Sequence, residues 1–459
     1  MISYSVKDIC EILDGEVVQG SRDFIIKDAV LFTVKMGPDK LLFLRQRWKI
    51  DWTRIQKSTP CVIVTDTIYN QFSKMKNCTV IKVKDVEKAF WRFTSFYRSQ
   101  FNIPVVAVTG TSGKTTTKEM IKHILSFDHK VAATISTANS RTHHFTYLLS
   151  IDKSTDAAVF ETAVGKPGDV LLASRYFKPT IGIITNIGIT HLDGCKTPEA
   201  YFQAKAEMVE AVGQTGTLIL NMDDENIKKI QLAGFHGRVI TVGIDSPADY
   251  MANSIEYSHQ GMKFMLNFQG MEYPFFVPGY GRHQVLNLLA AIAAVHQMGV
   301  DLKTAAQRML TFKNLPSHLE YSKGMGGAII LDDTWNSNPT SLKTAFETLT
   351  GVSKGKKRIA LIGDIKALGN LSLELHHQTG EMIANTGVDI LITVGPMAAE
   401  LGKQAEASGM RGNVYSFPNI KGVLPLLKQH LDSDSILLIK CSGTDKPIIQ
   451  LKKLIIKQT

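Results

Sequence analysis

The chain has 459 residues, with 52 Lys and Arg against 42 Asp and Glu, and 44% of its residues are hydrophobic. That length exceeds one ordinary core, so two to three domains of a soluble globular protein are expected. The formal charge of +10 comes from scattered Lys and Arg with no aromatic-interleaved stripe. This argues against a nucleic-acid partner and for a basic pocket that takes small anions, or simply a solvated basic surface.

The opening MISYSVKDICEIL has helical spacing and an early Asp8, not the basic-then-apolar pattern of a signal peptide. No apolar run reaches the ~20 residues that span a bilayer. The best candidate, Leu286 to Val300, is broken by Asn287, His296 and Gln297. A cytoplasmic protein without membrane insertion is therefore expected. Cys10, Cys61, Cys78, Cys195 and Cys441 are scattered and show no CxxC spacing, which favours a reducing compartment and gives no metal cluster.

Residues 1–98 are expected to form a small α/β domain. Its helical start gives way to apolar runs at Ala29 to Val34, Cys61 to Thr65 and Thr79 to Val83. Residues 99–314 open with VVAVTGTSGKTTT, which begins at Val105. Four apolar residues predict a buried parallel strand, Gly110 and Gly113 bracket a tight turn, and Lys114 opens a helix. Such a turn aims backbone N–H groups and a helix dipole at one spot, which suits phosphate. Lys114 would reach terminal phosphates and the Thr115 hydroxyl would ligate Mg2+. Val108 stands where the commoner loop has its first Gly, so this is a shorter form; the alternative is an ordinary strand–turn–helix with a solvated Lys.

Further strands are expected at Ala157 to Glu161, Ile181 to Ile187, Thr217 to Leu220 and Val239 to Val242, which makes a parallel sheet with ligands at the strands' carboxyl ends. Met251 to Pro278 alternates apolar and polar residues around Gly261 and Gly270, so antiparallel hairpins are expected there. A long helix from His283 to Met298 ends at Gly299. Residues 315–459 carry strand candidates Ala328 to Asp333, Arg358 to Gly363, Asp389 to Gly395, Val414 to Phe417 and Ser435 to Lys440, which predicts a second, doubly wound α/β domain.

Glu161 and His191 both follow strands, so both should emerge beside the phosphate loop and could hold Mg2+ there; each could equally be a solvated or core residue. Lys205, with alanines on both sides, would ordinarily snorkel to water. Asp332-Asp333 followed by Thr334 to Pro339 reads first as a turn, and second as a grip on a ribose or an amino-acid substrate.

Taken together, TGTSGKTT, the strand ending in Glu161, TNIGITHLDG, AKAEM, GRHQVLNLLAAIAA and DDTWNSNP resemble the Mur ligases in order and spacing over about residues 100 to 450. The resemblance implies an ATP-dependent amide ligase that works through an acyl phosphate. DDTWNSNPTSLKTAFETL and LIGDIKALGNLSLELHHQTG are most similar to the branch that adds D-Ala-D-Ala to a UDP-muramyl tripeptide for the cell wall. It further implies that Gly110, Thr111, Ser112, Gly113, Lys114, Thr115 and Thr116 cradle ATP, that Thr115 and Glu161 hold one Mg2+, and that His191 and a carbamylated Lys205 hold a second. Lys114, Glu161, His191 and Lys205 would then be the catalytic set. Gln284 and Asn287 would contact adenine, Asp333 the ribose, and Asn139, Asn336 and Asn338 the substrates. The partners implied are small molecules, a carboxylate acceptor and an amino acid or dipeptide, and the chain is expected to be a monomer.

The substrate side departs from the family. KDAVLFTV lacks its Asp-Ser-Arg, TANSRTHHFTYLL replaces its acceptor run, Ser317-His318 replace a Gly-Arg, Gln284 stands for an Asn, and SGTDKP replaces Gly-Ser-Arg-Gly. Two other readings therefore stay open: an amide ligase with a different acceptor and amine, and a non-catalytic nucleotide-binding scaffold.

Overall fold

The computed structural model describes residues 1–45 and 50–456. The chain divides into two compact units, one of residues 1–106, 128–160 and 171–179, the other of 107–127, 161–170 and 180–459.

In the first unit a five-stranded sheet runs Glu16–Gln19, Cys78–Lys82, Cys61–Thr65, Lys40–Phe43, Asp28–Val30. Its first pairing is antiparallel and the rest parallel. The predicted Ala29 to Val34 run is cut short after Val30, because a 3-10 turn at Thr33–Lys35 takes over the backbone. Lys40–Phe43 was not anticipated; it is only four residues long and follows a Gly-Pro-Asp turn. The helix Val6–Leu13 starts with a reciprocal cap in which Ser5 and Asp8 satisfy each other's backbone N–H. Phe43, Phe90, Phe93 and Phe145 pack edge to face in the core of this unit. Arg98, almost fully buried, donates to the carbonyls of Phe177 and Phe101 at 2.6 Å each, which satisfies acceptors at or just past the ends of two helices.

In the second unit, strands Met271–Pro278, Gly261–Phe268, Tyr250–Ser258, Arg238–Gly243, Thr217–Asn221 and Ile181–Ile184 follow one another in the sheet, and Val105–Thr109, whose residues from 107 on belong to this unit, comes next. Pairing is antiparallel among the first three, as the alternating pattern predicted, and parallel from Tyr250–Ser258 to Ile181–Ile184. The helix Arg282–Gln297 buries nearly its whole length, Val285 and Leu288 to Val295 included. The expected strand over Ile181 to Ile187 stops at Ile184, because Thr185 to Gly188 turn into the loop network described below.

The other sheet of this unit runs Glu320–Lys323, Ile329–Asp333, Ser435–Lys440, Lys357–Gly363, Ile390–Val394, Asn413–Phe417, with every pairing parallel except the first. Ile330, Leu361 and Leu437 pack on one face, and Leu331, Ile362 and Leu438 on the other. Strands covered on both faces read as continuous apolar runs, which is why these were legible. The edge strand Glu320–Lys323, mostly polar, was not.

Candidate active site

Strand Val105–Thr109 is wholly buried and delivers the chain to Gly110, at φ 146, and Gly113, at φ 83. A Cβ on Gly110 would collide with the Thr185 hydroxyl, and one on Gly113 with the Asn287 amide, so only glycine fits either position. The helix Lys114–Leu125 then begins with Gly113 as its cap and no side chain bonded to its first N–H groups. Uncapped N–H groups behind a glycine turn suit a phosphate group. The loop is braced from the TNIG segment. Ser112 N–H donates to Asn186 Oδ1 at 2.9 Å, Asn186 Nδ2 donates to Ser112 O at 3.0 Å, and the Thr185 hydroxyl donates to the same carbonyl at 2.6 Å.

Lys114 Nζ donates to the carbonyls of Gly110 and Thr111 at 2.9 and 3.1 Å. Burial lowers its pKa, partly opposed by Glu161. The Thr115 hydroxyl donates to Glu161 Oε2 at 2.9 Å, so those two residues share one spot beside the loop. Glu161 comes from the end of strand Ala157–Glu161. Next to it, Thr162 N–H donates to Val108 O, which fixes the carboxylate against the loop strand.

Lys205 does not snorkel. It is 1% exposed, its Nζ donates to the Thr109 hydroxyl at 3.3 Å, and it lies 5.0 Å over the Tyr201 ring. The surrounding core leaves its stem no path to water. Among the described residues no carboxylate comes within ion-pairing distance of it. Burial, reinforced by Lys114, pushes its pKa well below the usual lysine range. His191 sits at φ 55 as the cap of the short helix Leu192–Cys195. Desolvation and then the charges of Lys114 and Lys205 lower its pKa, and its ring lies 6.4 Å from that of Tyr201, the ring beneath Lys205. The amines of Lys114 and Lys205, the first partly and the second fully buried, make a pocket that suits an anionic ligand, although Glu161 and Asp169 also act on Lys205. Among the described residues no group of three or more His, Cys, Asp or Glu is spaced to hold a metal ion; a donor set that includes a hydroxyl and a lysine lies outside that pattern.

Gln284 and Asn287 lie one turn apart on Arg282–Gln297. Gln284 Nε2 donates to Asn314 Oδ1 at 3.3 Å, while its Oε1 is sealed from solvent with no partner, an acceptor ready for a ligand donor. Asn287 packs instead against Gly113. Asp333 is paired with Lys440 at 2.6 Å. Asn336 is exposed. Asn338 is fully buried: its Oδ1 caps the helix Pro339–Ser353 through Ser341 N–H at 2.8 Å, and its Nδ2 reaches the Ser112 hydroxyl at 3.4 Å. Thr116 is buried in the loop helix. Asn139 belongs to the other compact unit, where its N–H donates to Thr137 O.

The Mur ligase middle-domain profile matches residues 108–295, and the Mur ligase glutamate-ligase-domain profile matches residues 319–443. The chain belongs to the Mur ligase family. The UDP-N-acetylmuramoyl-tripeptide--D-alanyl-D-alanine ligase of Bacillus subtilis is 26% identical over 445 residues, covering 96% of each chain. Its counterpart from Synechocystis is 29% identical over 363 residues, covering 79% of this chain and 77% of its own. Among solved structures, MurF from Acinetobacter baumannii superposes with a TM-score of 0.85 at 22% identity, covering 99% of both chains. MurF from Thermotoga maritima in complex with ADP superposes with 0.76 at 20% identity, covering 93% of this chain and 96% of its own. At those identities the structural likeness establishes the fold.

Several residues that build the site of this Mur ligase escaped sequence reasoning. Tyr201 carries the floor under Lys205 and bonds the Thr111 hydroxyl at 3.2 Å. Asp224 accepts from Ile187 N–H at 3.0 Å, and Asn226 donates to Ile187 O at 2.7 Å, so the NMDDEN turn holds the TNIG segment that holds the loop. The signal for these was a cluster of Asn and Asp after a strand, which also describes any turn. His318 stacks on Trp335 with ring centroids 5.7 Å apart.

Proposed function

We propose that this chain is an ATP-dependent carbon–nitrogen ligase that joins D-alanyl-D-alanine to a UDP-N-acetylmuramoyl-tripeptide, a step of peptidoglycan precursor synthesis. The observation that carries the reading is the cluster of Lys114, Thr115, Glu161, His191 and Lys205 around a glycine turn. The names of the relatives supply the substrates.

A carboxylate is a poor electrophile because oxide would have to leave. Transfer of the γ-phosphoryl group of ATP to the acceptor carboxylate gives an acyl phosphate. The dipeptide amine then attacks the carbonyl carbon, phosphate leaves, and the amine loses a proton as the amide forms. Lys114 and the loop N–H groups would offset charge on the transferring phosphoryl group. Thr115 and Glu161 suit one Mg2+, and His191 with Lys205 a second; these ions would neutralise phosphate oxygens. Lys205 suits this role as a carbamate, because a buried amine without a carboxylate partner gains an anionic oxygen ligand by adding CO2. Gln284 Oε1, which has no partner, would accept from an adenine amine, and the oxygen of Asp333 that Lys440 does not bind would meet a ribose hydroxyl. Within this proposal residues 1–98 serve the UDP end, 99–314 the ATP, and 315–459 the amine.

The test is ADP release with ATP, Mg2+, bicarbonate, UDP-muramyl tripeptide and D-Ala-D-Ala. Release that requires both substrates is expected. Release only with another carboxylate and amine would keep the reaction and change the substrates, as the Ser317-His318 replacement allows. ATP binding without turnover for any pair would leave a scaffold and end the proposal.

A further inference from the structure

At the carboxyl ends of neighbouring strands, Asp333 and Lys440 stand opposite each other in register. Lys440 is 1% exposed, and its Nζ donates to Asp333 Oδ2 and to the Asn336 carbonyl, at 2.6 Å each. Asp333 Oδ1 has no hydrogen-bond partner among the described residues. The adjacent Asp332 is served separately, by Lys452 at 2.6 Å, the Ser317 hydroxyl and its own bond to the Thr334 hydroxyl. Lys440 is therefore not shared between the two carboxylates. Its charge also reaches His283, the neighbour of Gln284, and lowers that imidazole's pKa.

A buried ion pair is weak support for stability, since well-packed apolar groups often do as well. Its clearer effect is geometric. One oxygen of the carboxylate is locked, the other is left open, and the Asn336 carbonyl is tied to the same nitrogen. The loop from Thr334 to Asn338 is then held along its length: at Thr334 by Asp332 and Lys452, at Trp335 O by Gly443 N–H at 2.9 Å, at Asn336 by Lys440, and at Asn338 through Ser112 of the phosphate loop.

We propose that Lys440 is a positioning residue for nucleotide recognition: it orients Asp333 so that Oδ1 meets the ribose diol, and it registers the 334–338 loop against the bound nucleotide. The inference rests on the ribose role proposed for Asp333. A lysine donor aimed at Oδ2 leaves Asp333 one orientation, and a carboxylate in one orientation discriminates between nucleotides with and without a hydroxyl.

The test compares ATP with 2′-deoxy- and 3′-deoxy-ATP in the wild type, Asp333→Asn, Lys440→Met and the double variant. The wild type should prefer ATP over one deoxy analogue by about tenfold or more in KM, the range of a hydrogen bond to a charged group. Lys440→Met should erase most of that preference and add nothing on top of Asp333→Asn. If Asp333→Asn keeps the wild-type preference, the ribose role fails and takes this inference with it. If Asp333→Asn loses the preference while Lys440→Met keeps it, the ribose role stands and Lys440 is not its positioning residue. Lys440→Gln repeats the measurement should Lys440→Met fail to fold by circular dichroism. If neither variant folds, Lys440 is a structural residue and the inference is overturned.

Discussion

Acidification should destabilise the larger compact unit through His283. Its Nδ1 is sealed from solvent without a hydrogen-bond partner, and the charged or titratable groups facing it are Lys440 and His318. An imidazolium there would be desolvated beside an ammonium, so burial and Lys440 together lower the pKa from 6.5 to about 4. In the unfolded chain the ring titrates near 6.5, so between those values the unfolded state binds the extra proton. Stability from this group is therefore complete above about pH 6.5, falls as pH drops toward about 4, and changes no further below that. At about 1.4 kcal/mol per unit the window is worth roughly 3 kcal/mol. That is an upper figure, because His283 is only partly buried. The assay is the urea midpoint of wild type and His283→Gln at half-unit intervals from pH 7.5 to 4. All other titrating groups are common to both proteins, so the difference between the curves isolates the imidazole. The wild type should lose up to about 3 kcal/mol more than the variant across the window. Parallel curves would refute the reasoning.

Lys205→Met should cut ligation by about two orders of magnitude or more while leaving the thermal midpoint level or higher, since a buried amine without a carboxylate partner gives way to an apolar chain; a fall in midpoint that matches the loss of activity would contradict this. Gly113→Ala forces a side chain to φ 83 and against Asn287. The backbone strain alone is about 1–2 kcal/mol, and ATP binding by calorimetry should weaken about tenfold or more. Phe346 is fully buried in the core between the C-terminal sheet and its helices. Phe346→Ala should cost about 3–5 kcal/mol by urea denaturation, and a cost under about 1 kcal/mol would mean that the cavity collapses.

The phosphate loop was readable because each of its parts has a local cause: an apolar strand, two glycines where a Cβ cannot fit, a lysine and a threonine opening a helix. The parallel strands of the C-terminal sheet were readable for the related reason that burial on both faces demands continuous apolar residues. Short or edge strands such as Lys40–Phe43 and Glu320–Lys323 carry too few constrained positions to stand out. Glu161 and His191 could be placed at strand ends, but nothing in their neighbours distinguished a ligand from a solvated side chain.

Lys205 marks the division most clearly. Its sequence neighbours, two alanines on a helix of ordinary polarity, predict a side chain in water. Tyr201 lies one turn before Lys205 on the same helix, but the burial of Lys205 is decided by Thr109 and the sheet, which meet that helix only when the chain folds. Likewise Asp333 and Lys440 are 107 positions apart, and the side-by-side order of their strands, not either strand's residues, makes them a pair. Local chemistry settled in the sequence which elements form and where phosphate fits. Folding decided which distant side chains share one dry space, because burial and electrostatic coupling are properties of neighbours in three dimensions.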